Sequence, residues 1–341
     1  VLFTNPICAQ YNYSEEVLSN DGTVLKNKPK DAYCTNRDKE ASGNRENSPQ
    51  QRLVDWIQNP LITSVSLAYY SFSDKRVLQE LCSALSRGVK VRLVLDSDNE
   101  NEPSPQKLKT CGGELIIRGH KPGIELAHIK LVLFEVQDTK ILKTVFSSGN
   151  LTSGTVLHHE NWNFVTTSRD SYFAQDQLCA YEGMVVAQTG TEFRTHMKTC
   201  RLKILATPED DLRSYFIPAD NRLAQEKFIS RIQNSEVVKI AAHRFSNKKM
   251  MDALNERLLN KGLVQLLLDD DVYWAQKGTS VGPNTKVESD KIKTLETNGA
   301  VVQYLETNHY EKLLHHNKFM IFDTDSVWTG AGNLSDAGDR K

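Results

Sequence analysis

Two short stretches of the chain carry nearly the same chemistry: His128, Lys130 and the turn Ser147-Ser148-Gly149-Asn150, then His316, Lys318 and the turn Gly330-Ala331-Gly332-Asn333. An imidazole can attack phosphorus or move a proton, an ammonium neutralises phosphate oxygens, and a carboxamide adds a donor where charge builds up. Together they suit attack on a phosphodiester, and two copies supply both a nucleophile and an acid. Residues two apart on a strand face the same side, so each His-x-Lys is expected to project its pair together. A lone His-x-Lys carries no information, because chance supplies one in many proteins of this size. Two copies inside a self-similar chain do carry it.

Those residues need two similar platforms, and the chain provides them. Residues 72–96 overlay 245–269 without a gap, matching Phe72 with Phe245, Ser73 with Ser246, Leu81 with Leu254, Leu93 with Leu266 and Asp96 with Asp269. Val77, Leu78, Leu81 and Leu85, like Met250, Met251, Leu254 and Leu258, recur at helical spacing and predict one amphipathic helix per copy. Before each helix stands one apolar run (Val65 to Tyr70, Val237 to Ala242), and after it, past an Arg87-Gly88 or Lys261-Gly262 turn, another that leads into Asp (Val89 to Leu95, Leu263 to Leu268). Such runs read as buried parallel strands, so the unit is βαβ. The expected architecture is α/β: two similar α/β/α sandwich lobes related by a pseudo-twofold axis, with mixed, largely parallel sheets flanked by helices. Residues 168–220 interrupt the repeat with a predicted helix over 172–187, placing the junction near 205–215 and the lobes at 1–207 and 208–341.

The copies differ by insertions. Matching Leu108 to Gly112 with Leu295 to Gly299 raises the offset from 173 to 187, so the second copy holds about 14 extra residues within 271–293. That segment, with Gly278, Gly282, Pro283, Tyr273 and Trp274, reads as a long loop: a plain spacer, or a lid or membrane-touching rim. In the first copy 16 residues separate Lys130 from Ser147, against 11 between Lys318 and Gly330, and Gln137 to Lys140 between apolar runs predicts a lengthened β-hairpin.

Composition bounds the class. The 341 residues hold 42 basic and 43 acidic side chains, so no global positive field marks a binder of DNA or RNA, although a local groove could still hide. No apolar run reaches the length of a membrane span. Six cysteines, Cys8, Cys34, Cys82, Cys111, Cys179 and Cys200, include no Cys-x-x-Cys pair. Reduced core thiols are one reading. The one adopted is an exported protein, secreted or periplasmic, its signal peptide removed, with neighbours paired as Cys8–Cys34, Cys82–Cys111 and Cys179–Cys200.

His316-x-Lys318-x4-Asp323-x6-Gly330-x-x-Asn333 resembles the phospholipase D superfamily signature in residue types and spacing, with Ala331 where a Ser is common. The first copy is looser, having Glu135 for Asp, Ser147 for the first Gly, and the hairpin insert. The resemblance spans essentially the whole chain and implies a phosphohistidine mechanism with no metal or cofactor. It assigns His128 as nucleophile and His316 as general acid, with Lys130, Lys318, Asn150 and Asn333 stabilising the phosphoryl oxygens. Glu160-Asn161, ten residues after Asn150, looks like the Glu-Asn pair that in several family members holds the motif His in the right tautomer; an ordinary exposed Glu is the alternative. Glu135, Asp323 and Ser148 are expected in supporting positions. The second-half counterpart of Glu160 would fall at 343, so the natural chain is expected to run past Lys341.

On this reading the chain is a monomeric phosphodiesterase whose substrate is a phospholipid, with headgroup hydrolysis, transfer to an alcohol and peripheral membrane contact in view. A nuclease with the same residues is the alternative, and an inactive binding module ranks below both. Neither His158-His159 nor His243 is accompanied by Cys or carboxylates at ligand spacing, and Asp269-Asp270-Asp271 reads as a strand end beside the cleft, matched by Asp96 and Asp98. No metal site is expected.

Overall fold

Alternation between apolar runs and helical repeats becomes two sheets of the same design. A computed structural model of the chain describes residues 1–4, 6, 15–18, 24–27, 36–119, 127–137, 140–276, 285–305 and 314–335. The first-half strands are β1 (Leu2–Phe3), β2 (Glu15–Leu18), β3 (Val24–Asn27), β4 (Ile62–Tyr69), β5 (Lys90–Asp96), β6 (Glu114–Arg118), β7 (Lys130–Val136), β8 (Ile141–Ser147) and β9 (Asn161–Ser168). Those of the second half are β10 (Val237–Ala242), β11 (Leu263–Asp269), β12 (Val301–Leu305), β13 (Lys318–Phe322) and β14 (Ser326–Thr329).

The large sheet runs β1-β9-β8-β7-β4-β5-β6 and the smaller one β12-β11-β10-β13-β14; β2 and β3 pair separately. In both, three strands run parallel (β4, β5, β6; β10, β11, β12) and a hairpin joins antiparallel at the first of them (β7 on β4; β13 on β10). Lys130 lies opposite Tyr69 and Lys318 opposite Ala242, the same register in each half. The β7–β8 pairing confirms the lengthened hairpin of the first copy.

Repeat positions do the same work twice. Asp74 and Asn247 accept backbone N–H bonds in the first turns of the helices Lys75–Ser86 and Lys248–Leu259, caps of the kind worth about 1 kcal/mol. Their own N–H groups, and those of Ser73 and Ser246, reach the carbonyls of Leu151 and Leu334. Each helix start is thereby tied to the residue after a motif Asn. The chain reverses into β5 and β11 through left-handed residues: Gly88 (φ 86°) in the first half and, at the repeat-equivalent position, Lys261 (φ 64°) rather than Gly262.

A continuous core covers one face of the large sheet (Leu53, Leu67, Phe72, Leu81, Phe134), and a second lies under the helices Tyr172–Val186 and Gly190–Arg201 (Ala180, Tyr181, Phe193). The second sheet has its own core around Phe228, Phe245, Leu254 and Phe322. No helix among the described residues is long and apolar enough to cross a membrane.

Two expectations change, and one strand is new. The 271–293 segment is not a plain loop: the helices Asp270–Gln276 and Thr285–Thr297 occupy its ends, because Val272 and Ile292 are buried in the second core. Tyr273 and Gln276 turn inward onto Tyr304, and residues 277–284 lie outside the described ones. His128 and His316 precede β7 and β13 rather than sharing a strand with their lysines. Leu2–Phe3, unmarked by any periodicity, adds an edge strand beside β9, and Phe3 meets Phe319 of the second half.

Cys82 bonds to Cys111 and Cys179 to Cys200, both as expected; Cys8 and Cys34 lie outside the described residues. Closing a span of 29 residues restricts the unfolded chain, so replacing Cys82 and Cys111 together by Ala is expected to cost about 3 kcal/mol, read as a lower denaturant midpoint.

Candidate active site

Both His-x-Lys segments lead into their strands in the same way. Asp96 closes β5 and its Oδ2 accepts the N–H of Ala127; Asp269 closes β11 and its Oδ2 accepts the N–H of His315 at 2.7 Å. The other oxygen of each takes the N–H two residues on, at Asp98 (2.9 Å) and Asp271 (3.0 Å). A buried carboxylate at the end of a parallel strand thus fixes the backbone immediately before each motif His. Burial raises both acids, Asp269 to about 7 with Asp271 and Asp270 adding to it. Sequence spacing located these aspartates but not this work.

Beyond each His the lysine folds back. Lys130 Nζ donates to the His128 carbonyl at 3.0 Å, and Lys318 Nζ to that of His316 at 2.9 Å. Both lysines are buried. Burial brings Lys318 down to about 7, Glu160 opposing. Lys130 falls well below the ordinary lysine range through burial and then through the charge of Lys318, against Glu160 and Asp96. The charge of Lys318 thus acts on Lys130, so the two motif segments lie within electrostatic reach of each other.

Glu160 is the hinge between halves, and it is not the exposed alternative. It sits 1% exposed, with both carboxylate oxygens 2.8 Å from His316 Nδ1, so it orients the histidine of the other half. Ser148 donates to it at 2.6 Å, and His158 Nδ1 stands 3.3 Å away. Burial by itself would raise Glu160, but His316, the hydrogen bonds from His158 and His316, and Lys318 hold it well below the ordinary carboxylate range. Gly149 allows this approach: a Cβ there would stand 2.8 Å from Thr155 and 3.0 Å from the Glu160 carboxyl carbon.

The neighbouring residues complete the crossing. Asn161 Oδ1 accepts the Lys318 N–H at 2.8 Å while its Nδ2 donates to Thr329, and His159 exchanges backbone bonds with Leu314 and His316. None of this partnering has a sequence signal beyond the Glu-Asn pair itself. An aromatic ring also flanks each motif His from one repeat position, Tyr70 beside His128 (centroids 5.6 Å apart) and His243 beside His316 (5.0 Å). The offset of 173 could have revealed that pair.

A cleft of about 1530 Å³ runs between the halves, reached by His128, Lys130 and Asn333 and walled by Phe146, Phe193 and Trp328. Asn150 and Asn333 both keep a buried side-chain oxygen without a hydrogen-bond partner among the described residues. The supporting acids do unlike work: Asp323, in the left-handed region (φ 52°), bonds the Val237 N–H at 2.8 Å, whereas Glu135 pairs with Arg169 near the surface. Their placement explains why Glu135 departs from the signature without disturbing the site.

The family model described as cardiolipin synthase, PLD-like domain, matches residues 53–180 and 228–340. Among solved structures, phosphatidylserine synthase of Haemophilus influenzae Rd KW20 is similar with a TM-score of 0.53 and 10% identity, over 85% of this chain and 77% of that one. The polyphosphate kinase of Porphyromonas gingivalis gives 0.47 and 15% over 84% of this chain, which spans only 43% of that protein. Nuc of Salmonella typhimurium, a phospholipase D family member, gives 0.30 and 21% over 36% of this chain and 76% of its own. At 10% identity the likeness to the phosphatidylserine synthase is one of fold. No curated protein sequence matches.

The depressed lysine has a pH consequence. Lys318 without ligand is protonated below about 7 and neutral above, and a bound phosphate would carry it back toward its ordinary value of 10.5. Between those limits binding should take up a proton, and affinity should fall as pH rises. Calorimetric titration with inorganic phosphate at about pH 8.5, in buffers of different ionisation enthalpy, is expected to show proton uptake that Lys318→Met reduces.

Proposed function

Because this chain belongs to the phospholipase D superfamily of phosphodiester-acting enzymes, we propose that it hydrolyses phospholipid headgroups through a phosphohistidine, with no metal in the chemistry. The observation that carries the phosphodiester reading is the pair of buried motif lysines, Lys130 and Lys318, each folded onto the carbonyl of its motif His, with the charge of Lys318 adding to the fall of Lys130. Such a site favours one anion between the halves, since a phosphodiester would oppose that fall and meet four cationic or donor side chains.

The geometry supports these steps. A ring nitrogen of His128 attacks phosphorus while His316 gives its proton to the departing oxygen; the P–O bond breaks as the P–N bond forms. Burial holds the free His316 down to about 4, so the proton it gives must be taken up as the anion binds. Glu160, ionised against His316 Nδ1, opposes that fall, fixes the tautomer that leaves Nε2 for the transfer and stabilises the imidazolium. His316 then takes a proton from water, or from an alcohol in a transfer reaction, whose oxygen displaces His128. Asn150 and Asn333 add amide donors to the phosphoryl oxygens. One chain supplies both sets, so a monomer suffices.

Support for lipid comes from the cleft. Its walls offer acyl chains the apolar faces of Phe146, Phe193 and Trp328. Of the cations there, Arg201 lies on Asp176 and Asp220 at 2.6 Å each and Arg213 on Asp210 at 3.5 Å, and Arg118, Arg194, Lys227 and Arg231 line the cleft too. The two disulfides support an oxidising compartment, outside the cell or in the periplasm.

Incubation with phosphatidylcholine vesicles and with plasmid, both in EDTA, tests substrate and metal together. Choline release is expected, lost by about 10³-fold or more in His128→Ala and His316→Ala and by about 10² to 10⁴-fold in Glu160→Gln, with label trapped on His128. Nicking without choline release would make the chain a nuclease, and activity abolished by EDTA would overturn metal independence.

A further inference from the structure

The second half carries a group of donors that its repeat partner lacks. His243 follows β10, Asp269 closes β11 and Asp271 lies just beyond, and one donor atom from each falls within 4.8 Å of the others. Asp269 and Asp271 are buried. Both ring nitrogens of His243 are also buried, and neither has a hydrogen-bond partner among the described residues. An imidazole always presents polar nitrogens, so leaving both unmatched away from water costs free energy unless something binds there.

The repeat supplies an internal comparison. At the offset of 173, Asp269 corresponds to Asp96 and Asp271 to Asp98, while His243 corresponds to Tyr70. The strand-end carboxylates therefore belong to the scaffold in both halves, and the imidazole aimed at them is particular to one. Asp269 uses its oxygens to accept the N–H groups of His315 and Asp271, which keeps it oriented, and Arg244 steadies Asp271 from 3.0 Å.

We propose that His243, Asp269 and Asp271 bind one divalent first-row transition ion of the zinc or cobalt class. One imidazole nitrogen with two carboxylate oxygens is a donor set those ions accept at about 2.0 to 2.2 Å, whereas magnesium and calcium prefer oxygen alone. The spacing of 26 residues between His243 and Asp269 gives sequence no hint of it. An ion here would join the ends of β10 and β11 to the segment that Asp269 holds before His316, whose ring lies 5.0 Å from His243. Its role is to fasten and charge that corner, and it stands whether or not the lipid reading holds.

Zinc is titrated calorimetrically into the full chain after chelator treatment, with cobalt absorption as the second readout. One ion per chain is expected at about micromolar affinity or tighter, together with a rise in melting temperature. His243→Ala and Asp271→Asn, each checked for folding by circular dichroism, should weaken binding by about tenfold or more and remove the thermal shift. His158→Ala should leave both intact. Absence of saturable binding, or binding that survives both substitutions, overturns the proposal. Binding lost in His158→Ala but kept in His243→Ala also overturns it, moving the ion to the His158, Glu160 and His316 group.

Discussion

Two buried lysines, Lys130 and Lys318, with the charge of the second acting on the first, are the constraint to which the rest of the chain answers. Desolvating one such charge costs several kcal/mol, and bringing a second beside it adds repulsion. The fold offsets this with a fixed carboxylate, Glu160, whose charge opposes the fall of both lysines, and with the carbonyls of His128 and His316, which accept the two ammonium groups. What remains unmet is a preference for an anion, stored in rigid strands rather than created when a ligand arrives. Pre-set donors of this kind need little reorganisation during reaction.

That rigidity comes from the repeat, and its asymmetry from the crossing. Asp96 and Asp269 anchor the backbone ahead of both motif histidines alike, and the carbonyls of Leu151 and Leu334 tie the two motif turns to helix starts alike. Residues 159–163 then break the symmetry, since His159, Glu160, Asn161 and Asn163 all reach second-half partners, namely Leu314, His316, Lys318 and Thr329. The second-half signature, stricter in spacing, is therefore held by the first half. Its histidine is held by a first-half carboxylate.

Much of the fold was legible because burial writes itself into periodicity. Val77 and Leu81, like Met250 and Leu254, recur one turn of helix apart, and Val91, Leu93, Val94 and Leu95, like Val264, Leu266, Leu267 and Leu268, crowd into short runs broken only by Arg92 and Gln265 where a strand is largely covered. Leu2–Phe3 left no such mark, because two residues are too short to show a period. The 271–293 segment misled for another reason: Gly278, Gly282 and Pro283 announce a loop, and they outweighed helices at either end whose burial depends on the rest of the second core.

By itself the sequence determined the residue types, their duplication and the chemistry they allow, since a reactive imidazole, a cation and an amide are properties of side chains. Spacing also determined which strand and turn would carry the lysines and asparagines, though not that each histidine stands just before its strand. Tertiary structure alone decided which partner each residue meets: Glu160 with His316 across 156 positions, Asn161 with Lys318 across 157, and His243 with the aspartates beyond β11. The physical reason is that hydrogen bonds and ion pairs act over a few ångströms. Which groups come within that range depends on how two sheets pack, and no local pattern records it.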